Sequence, residues 1–168
     1  ISVTLYSLIP DRVKTLTLLS TNTFTDTPIP PPLALIKTPL IGNLWASLIF
    51  SKASLQMMLK QGVGSKTTPV DTNSSLGDDQ QVRSIRTIFG SALRELNTRY
   101  KTVEDTLSEI KVPTLVFWGT KDPFFSLQQG QRTAKAIRYA RLVTLEGAGH
   151  FLPEERPFEI ASELKKLK

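Results

Sequence analysis

Two side chains have the types and the spacing for acid–base chemistry together: Asp122 and His150, the one histidine of the chain. Each follows a short apolar run. Leu115, Val116, Phe117 and Trp118, behind Pro113, form a continuous apolar stretch, the pattern of a strand covered on both faces as in a parallel sheet. Gly119 ends that run, and Thr120, Lys121, Asp122 and Pro123 turn just past its C-terminal end. Residues 141–145 read as a second strand, followed by Gly147-Ala148-Gly149-His150, whose glycines permit tight, unusual backbone angles. In open parallel sheets, sites form along that C-terminal edge. A carboxylate beside an imidazole holds the ring's tautomer and stabilises its protonated form, as a general base in covalent catalysis requires. Taken singly, Asp122 reads as a turn residue and His150 as a loop histidine. Their equivalent placement after consecutive strands favours the catalytic reading.

The elements that must hold this pair follow from the flanking pattern. Ser126 with Gln129 three residues on is a capping-box signature, so a helix is expected there, with Ala134 and Ile137 on its apolar face. After His150, Pro153 suits a helix's first turn, and Glu154 and Glu155 suit its positive end. Phe158, Ala161, Leu164 and Leu167 then form the stripe expected to pack on the sheet. Upstream, residues 1–9 read as a helix of poor intrinsic propensity that needs a sheet beneath it, broken by Pro10 and Asp11. Residues 12–19 read as a buried strand, ending near Ser20. Thr- and Pro-rich residues 21–32 interrupt regular structure. Residues 33–40 are apolar but carry Lys37 and Pro39. Asn43 is expected to cap one helix over 44–60, with Leu44, Leu48, Leu55 and Leu59 on a single face.

Residues 61–77 read as a polar loop. Its Gly62-Val63-Gly64-Ser65-Lys66-Thr67-Thr68 lacks the full spacing of a phosphate loop, and no buried strand precedes it. Val82, Ile85, Phe89, Ala92 and Leu96 predict a regular helix over 79–100, and Thr102 with Asp105 a short capped turn returning Val103 and Leu107 to the core.

The stretches VPTLVFWGTKDPF (112–124) and LVTLEGAGHFLPEERP (142–157) resemble the C-terminal part of an α/β-hydrolase-fold enzyme. The cap-bearing branch with epoxide hydrolases, haloalkane dehalogenases and related esterases is the most similar. The resemblance implies an α/β fold, with parallel strands flanked by helices and a helical cap inserted. Residues 1–25 and 109–168 would be core, and 26–108 the cap. It implies Asp122 as the acid and His150 as the histidine, in the family's order of nucleophile, acid, histidine. Some dehalogenases place the acid after the earlier strand, but Asn22 stands there and is no carboxylate, and Asp26 reads as a turn residue.

The family's nucleophile elbow, Gly-x-Ser-x-Gly or its Asp counterpart, does not occur in these residues. The simplest account is a C-terminal part whose nucleophile lies upstream. The alternatives are a natural short protein that has lost catalysis or one that pairs with a separate N-terminal chain. By resemblance, the intact enzyme cleaves an ester, epoxide or carbon–halogen bond through a covalent intermediate, without metal or organic cofactor. Trp45, Phe50, Phe124, Phe125 and Phe151 are candidates for an apolar pocket wall, each with an equally good packing role. The rival expectation is a non-catalytic hydrolase-like module that binds a ligand or partner.

Composition narrows the field. With no cysteine and one histidine, disulfides, thiolate metal sites and His clusters are excluded. The lack of cysteine fits a cytoplasmic protein without fixing that compartment. A net charge of +6 raises the question of nucleic acid. The positive residues are dispersed, and Lys165, Lys166 and Lys168 suit a solvated helix end, so a small apolar substrate is the expected partner rather than nucleic acid. Residues 33–50 make no membrane span, for which ~20 predominantly apolar residues are needed. An exposed sheet edge is expected to invite self-association or union with the upstream half.

Overall fold

The expected strands pair into one parallel sheet in the order β1-β2-β3, in the computed structural model of the chain. That model describes residues 1–38, 40–65 and 71–167, without the side chains of Asn73, Asn97 and Arg99. Pro39, Lys168 and the 66–70 part of the expected polar loop lie outside the described residues. In chain order the elements are α1 (Ser2–Leu8), β1 (Leu16–Leu19), α2 (Pro31–Ala34), α3 (Gly42–Ile49), α4 (Lys52–Gln61), α5 (Thr72–Leu76) and α6 (Asp79–Arg94). Then come α7 (Leu96–Leu107), β2 (Thr114–Gly119), α8 (Leu127–Ala136), β3 (Ala140–Leu145), α9 (Leu152–Glu155) and α10 (Pro157–Leu164).

The chain divides into two compact units. The first comprises Ile1–Phe24, Gly62–Thr68 and Lys101–Lys168, and holds the whole sheet. β2 is its middle strand and is buried at every position, as its unbroken apolar run requires. Leu115, Phe117, Leu145, Ala148, Leu152 and Ile160 form one core there. β1 is shorter than expected. Arg12 and Val13 donate their N–H groups to the carbonyls of Ile9 and Pro10 in a tight turn, so residues 12 and 13 are withdrawn from the ladder. α8 packs on the sheet through Gly130, whose missing Cβ leaves room for the Trp118 ring, and Thr133, whose hydroxyl meets that of Thr23 at 2.7 Å. The Ser126 side chain makes no capping bond. Its backbone carbonyl accepts from Gln129 N–H instead, at 3.0 Å.

The second unit, Thr25–Gln61 with Pro69–Tyr100, is helical and has its own core of Ile36, Ala46, Phe50, Leu55, Leu76 and Val82. Here the expected single helix over 44–60 is two. The chain breaks at Phe50 and Ser51, where the Ser51 hydroxyl accepts from Ser54 N–H and restarts the helix as α4. Asn43 lies inside α3 rather than capping it. The buried face of α3 is Gly42 and Ala46, because a Cβ on Gly42 would overlap the Ile36 carbonyl and only small residues fit. Leu44 and Leu48, expected inside, are exposed. The 61–77 segment also contains α5.

The helix expected over 79–100 stops at Arg94. A full capping box between Asp78 and Gln81 starts it, and a new helix, α7, begins at Leu96. Thr102 and Asp105 therefore sit within α7 rather than in a separate turn, and Val103 and Leu107 are buried along it. At the C-terminal end, Ile160 is the residue of α10 that reaches the core, whereas Phe158, Ala161 and Leu164 face outward. Leu167, past the end of α10, packs on that core as expected, while the break at Arg156 between α9 and α10 turns the other three outward. Among the described residues, no helix is long and apolar enough to cross a membrane.

Candidate active site

β2 and β3 run side by side with Gly119 opposite Leu145, so the loops that follow them leave the same sheet edge as neighbours. Backbone bonds then join the two loops. Thr120 N–H donates to Leu145 O at 3.2 Å, and Lys121 N–H to Ala148 O at 2.9 Å. Thr120 Oγ1 accepts from Gly147 N–H at 2.9 Å. Gly119 permits this approach, because a Cβ there would overlap the carbonyl oxygens of Gly149 and Ala148. Gly147 supplies the left-handed turn, with φ at 73°.

Asp122 and His150, paired from their spacing, are brought together. His150 Nδ1 lies 2.9 Å from Asp122 Oδ2. The other carboxylate oxygen, Oδ1, accepts from Phe124 N–H at 2.8 Å and Phe125 N–H at 3.1 Å, so the acid is locked by its own turn. An ionised carboxylate can only accept, which makes Nδ1 the protonated ring nitrogen and leaves Nε2 with the lone pair. The Asp122 side chain is fully shielded and the His150 side chain 23% exposed, so the pair is covered while the ring keeps access. Burial pushes the Asp122 carboxyl up. The His150 hydrogen bond, the Phe124 N–H, the His150 charge and the Phe125 N–H together outweigh it and hold the acid below its usual range.

Three aromatic rings surround the imidazole. Phe124 meets it edge-on at 5.1 Å, Phe151 at 5.4 Å, and Phe125 lies tilted at 5.6 Å. Of the expected wall residues, these three adjoin the histidine. Phe50 is buried in the core of the second unit, and Trp45 packs on that same core while its Nε1 donates to Pro32 O. Asn22, after β1, spends its side-chain oxygen on Phe24 N–H at 3.1 Å.

The family model of the α/β-hydrolase fold matches residues 1–157, nearly the whole chain. The chain belongs to the α/β-hydrolase fold family. Among curated relatives, epoxide hydrolase A of Mycobacterium tuberculosis (strain ATCC 25618 / H37Rv) is 36% identical over 73 residues, 42% of this chain and 23% of that protein. The monoacylglycerol lipase ABHD6 of Mus musculus is 32% identical over 76 residues, 45% of this chain and 22% of that protein. A solved structure of the 2-hydroxy-6-oxo-6-phenylhexa-2,4-dienoate hydrolase from Rhodococcus sp. strain RHA1 superposes with a TM-score of 0.72 at 19% identity. It covers 97% of this chain and 58% of that one. The chain thus spans well under two thirds of the length of each.

This α/β-hydrolase-fold chain holds its histidine loop with a residue that sequence reasoning missed. Glu155 is buried, and its carboxylate accepts from Gly149 N–H at 2.9 Å and from Gly64 N–H at 2.8 Å. The sequence marked Glu154 and Glu155 alike as acids at a helix start, and nothing in their spacing separates them. The Gly62-Val63-Gly64 stretch was legible only as a loop, yet His150 N–H donates to Gly62 O at 2.6 Å.

Proposed function

We propose that the chain is the histidine-bearing part of a cofactor-independent hydrolase, with Asp122 as acid and His150 as general base. The observation that carries this is the 2.9 Å approach of His150 Nδ1 to Asp122 Oδ2 at the C-terminal edge of adjacent parallel strands. The nucleophile, a Ser or an Asp, comes from a segment outside these 168 residues. With a Ser nucleophile, His150 Nε2 takes the hydroxyl proton as the oxygen attacks an ester carbonyl. It then passes that proton to the leaving group and deprotonates the water that hydrolyses the acyl-enzyme. With an Asp nucleophile, the carboxylate attacks an epoxide carbon, whose ring oxygen leaves as an alkoxide and takes a proton from water, or it displaces a halide. Either way an alkyl ester forms, and His150 deprotonates the water that cleaves it. In both cases Asp122 offsets the positive charge that develops on the ring. General-base assistance of this kind contributes on the order of 10²–10⁴-fold in rate.

The three phenylalanine rings at His150 favour a substrate with an apolar body. The relatives' names, an epoxide hydrolase and a monoacylglycerol lipase, are consistent with epoxide and ester substrates. The helical unit, which makes up most of residues 26–108, is proposed as the cap of a cytoplasmic enzyme. The test joins the chain to an upstream segment carrying a nucleophile elbow and measures turnover of p-nitrophenyl esters and of epoxides. Loss of turnover in His150→Ala, and none from the 168-residue chain alone, is the expected result. Undiminished turnover in His150→Ala would refute the assignment of His150 as general base.

A further inference from the structure

The backbone of the histidine loop is pressed against another segment of the same unit. A Cβ on Gly149 would overlap Gly62 O and Gly64 N, and one on Gly64 would overlap Gly147 O. The two strips of main chain therefore touch without side chains between them. His150 N–H donates to Gly62 O across this contact at 2.6 Å. One carboxylate spans both strips: Glu155 Oε1 takes the Gly149 N–H and Oε2 the Gly64 N–H. The phenyl ring of Phe151 covers the same place, since a Cβ on Gly62 would overlap it. Every one of these bonds ends on the residue before His150, on His150 itself or on the segment facing them.

We propose that Glu155 is a positioning residue for His150, holding its backbone through a carboxylate clasp between Gly149 and Gly64. The proposal rests on the Asp122–His150 reading and adds the group that fixes where the ring starts from. The ring's bond to Asp122 constrains one end of the side chain. The Cα end is set by Gly149, whose N–H the clasp holds, and by the Gly62 carbonyl, two residues before the Gly64 N–H that the clasp also holds. Glu155 needs both oxygens as acceptors. Gln keeps one and turns an N–H₂ donor toward a backbone N–H, so one bond is lost with little change in volume.

The test uses the chain's single histidine, which gives one unambiguous set of ring signals in NMR. Wild type, Glu155→Gln and Gly64→Ala are compared, with Ile160→Val as a core variant of the same unit that leaves the clasp untouched. In Glu155→Gln, amide exchange at Gly149 and Gly64 should speed up roughly 10- to 150-fold, the weight of a hydrogen bond to a charged acceptor. The hydrogen-bonded Nδ1–H signal of His150 should broaden or vanish while circular dichroism stays that of a folded chain. Gly64→Ala, which parts the same two strips, should do the same to Nδ1–H. Ile160→Val should leave it intact. In the complete enzyme, Glu155→Gln should lower kcat at least 10-fold with KM within 2-fold, about the effect of misplacing a catalytic group.

An unchanged Nδ1–H signal in a folded Glu155→Gln chain would overturn the proposal, as would equal loss in Ile160→Val. If Glu155→Gln fails to fold, Gly64→Ala decides by the same signal. These readouts do not depend on turnover. A failed hydrolase assignment would show instead as His150→Ala retaining activity.

Discussion

Replacing Asp122 by Asn separates what the carboxylate does for the turn from what it does for the histidine. The Asn carbonyl can still accept from Phe124 and Phe125 N–H, so the loop keeps its shape. The amide group, however, now faces His150 Nδ1 where Oδ2 stood at 2.9 Å. Two donors cannot share that contact, so the neutral ring must move its proton to Nε2. A hydrogen bond to a charged group contributes about 1.5–3 kcal/mol, and the neutral N–H···N bond that replaces it about 1 kcal/mol. The histidine is partly exposed, which places the net loss near the low end of that difference, roughly 0.5–1 kcal/mol at neutral pH. For a chain of this size that is about 1–4 °C in Tm.

The sign of the pH dependence follows from the downward shift of the Asp122 carboxyl. A carboxyl lowered in the folded state contributes stability above its unfolded value of about 3.9, and that stability is lost as pH falls through the folded value. Wild type and Asp122→Asn should therefore differ at pH 7 and converge well below pH 3.9. Urea unfolding followed by tryptophan fluorescence reads both conditions, since Trp118 is fully buried beneath the site. Equal stability at pH 7, or a difference that persists unchanged at low pH, would refute the coupling.

Gly119→Ala should destabilise the first unit by about 1–3 kcal/mol, because its Cβ would drive into the Gly149 and Ala148 carbonyls; urea midpoints check it, and no loss would mean the loops are not in register. Gly130→Ala should cost a similar amount, since its Cβ would press on the buried Trp118 ring, and it should shift that residue's emission. Gly147→Ala should cost about 1–2 kcal/mol from its left-handed backbone alone, read as a lowered urea midpoint.

The sheet and its rim were legible because their signals are local. An apolar run bounded by Pro113 and Gly119 has few readings other than a buried strand, and glycines before His150 require a turn. The helical unit was read less well. Leu44 and Leu48 have helical spacing with Leu55 and Leu59, but the break at Phe50 and Ser51 gives each half its own inward face. Close approach of Gly42 to Ile36 then selects the small residues of α3 as buried, which no hydrophobic pattern announces. Phe158 and Leu164 followed the expected period, yet the break at Arg156 turned Ile160 inward instead. Glu155 was invisible for a different reason: its partners are backbone N–H groups, one of them 91 residues away, and backbone donors leave no trace in residue type.

The most direct test of the pairing of Asp122 with His150 is the ring tautomer in the unmodified chain, measured by ¹⁵N–¹H correlation of its single histidine at a pH where the ring is neutral. The structure requires the proton on Nδ1, donated to Asp122, with Nε2 unprotonated and able to take a proton from a nucleophile or water. A ring protonated on Nε2, or an equal mixture of tautomers as in free imidazole, would contradict it.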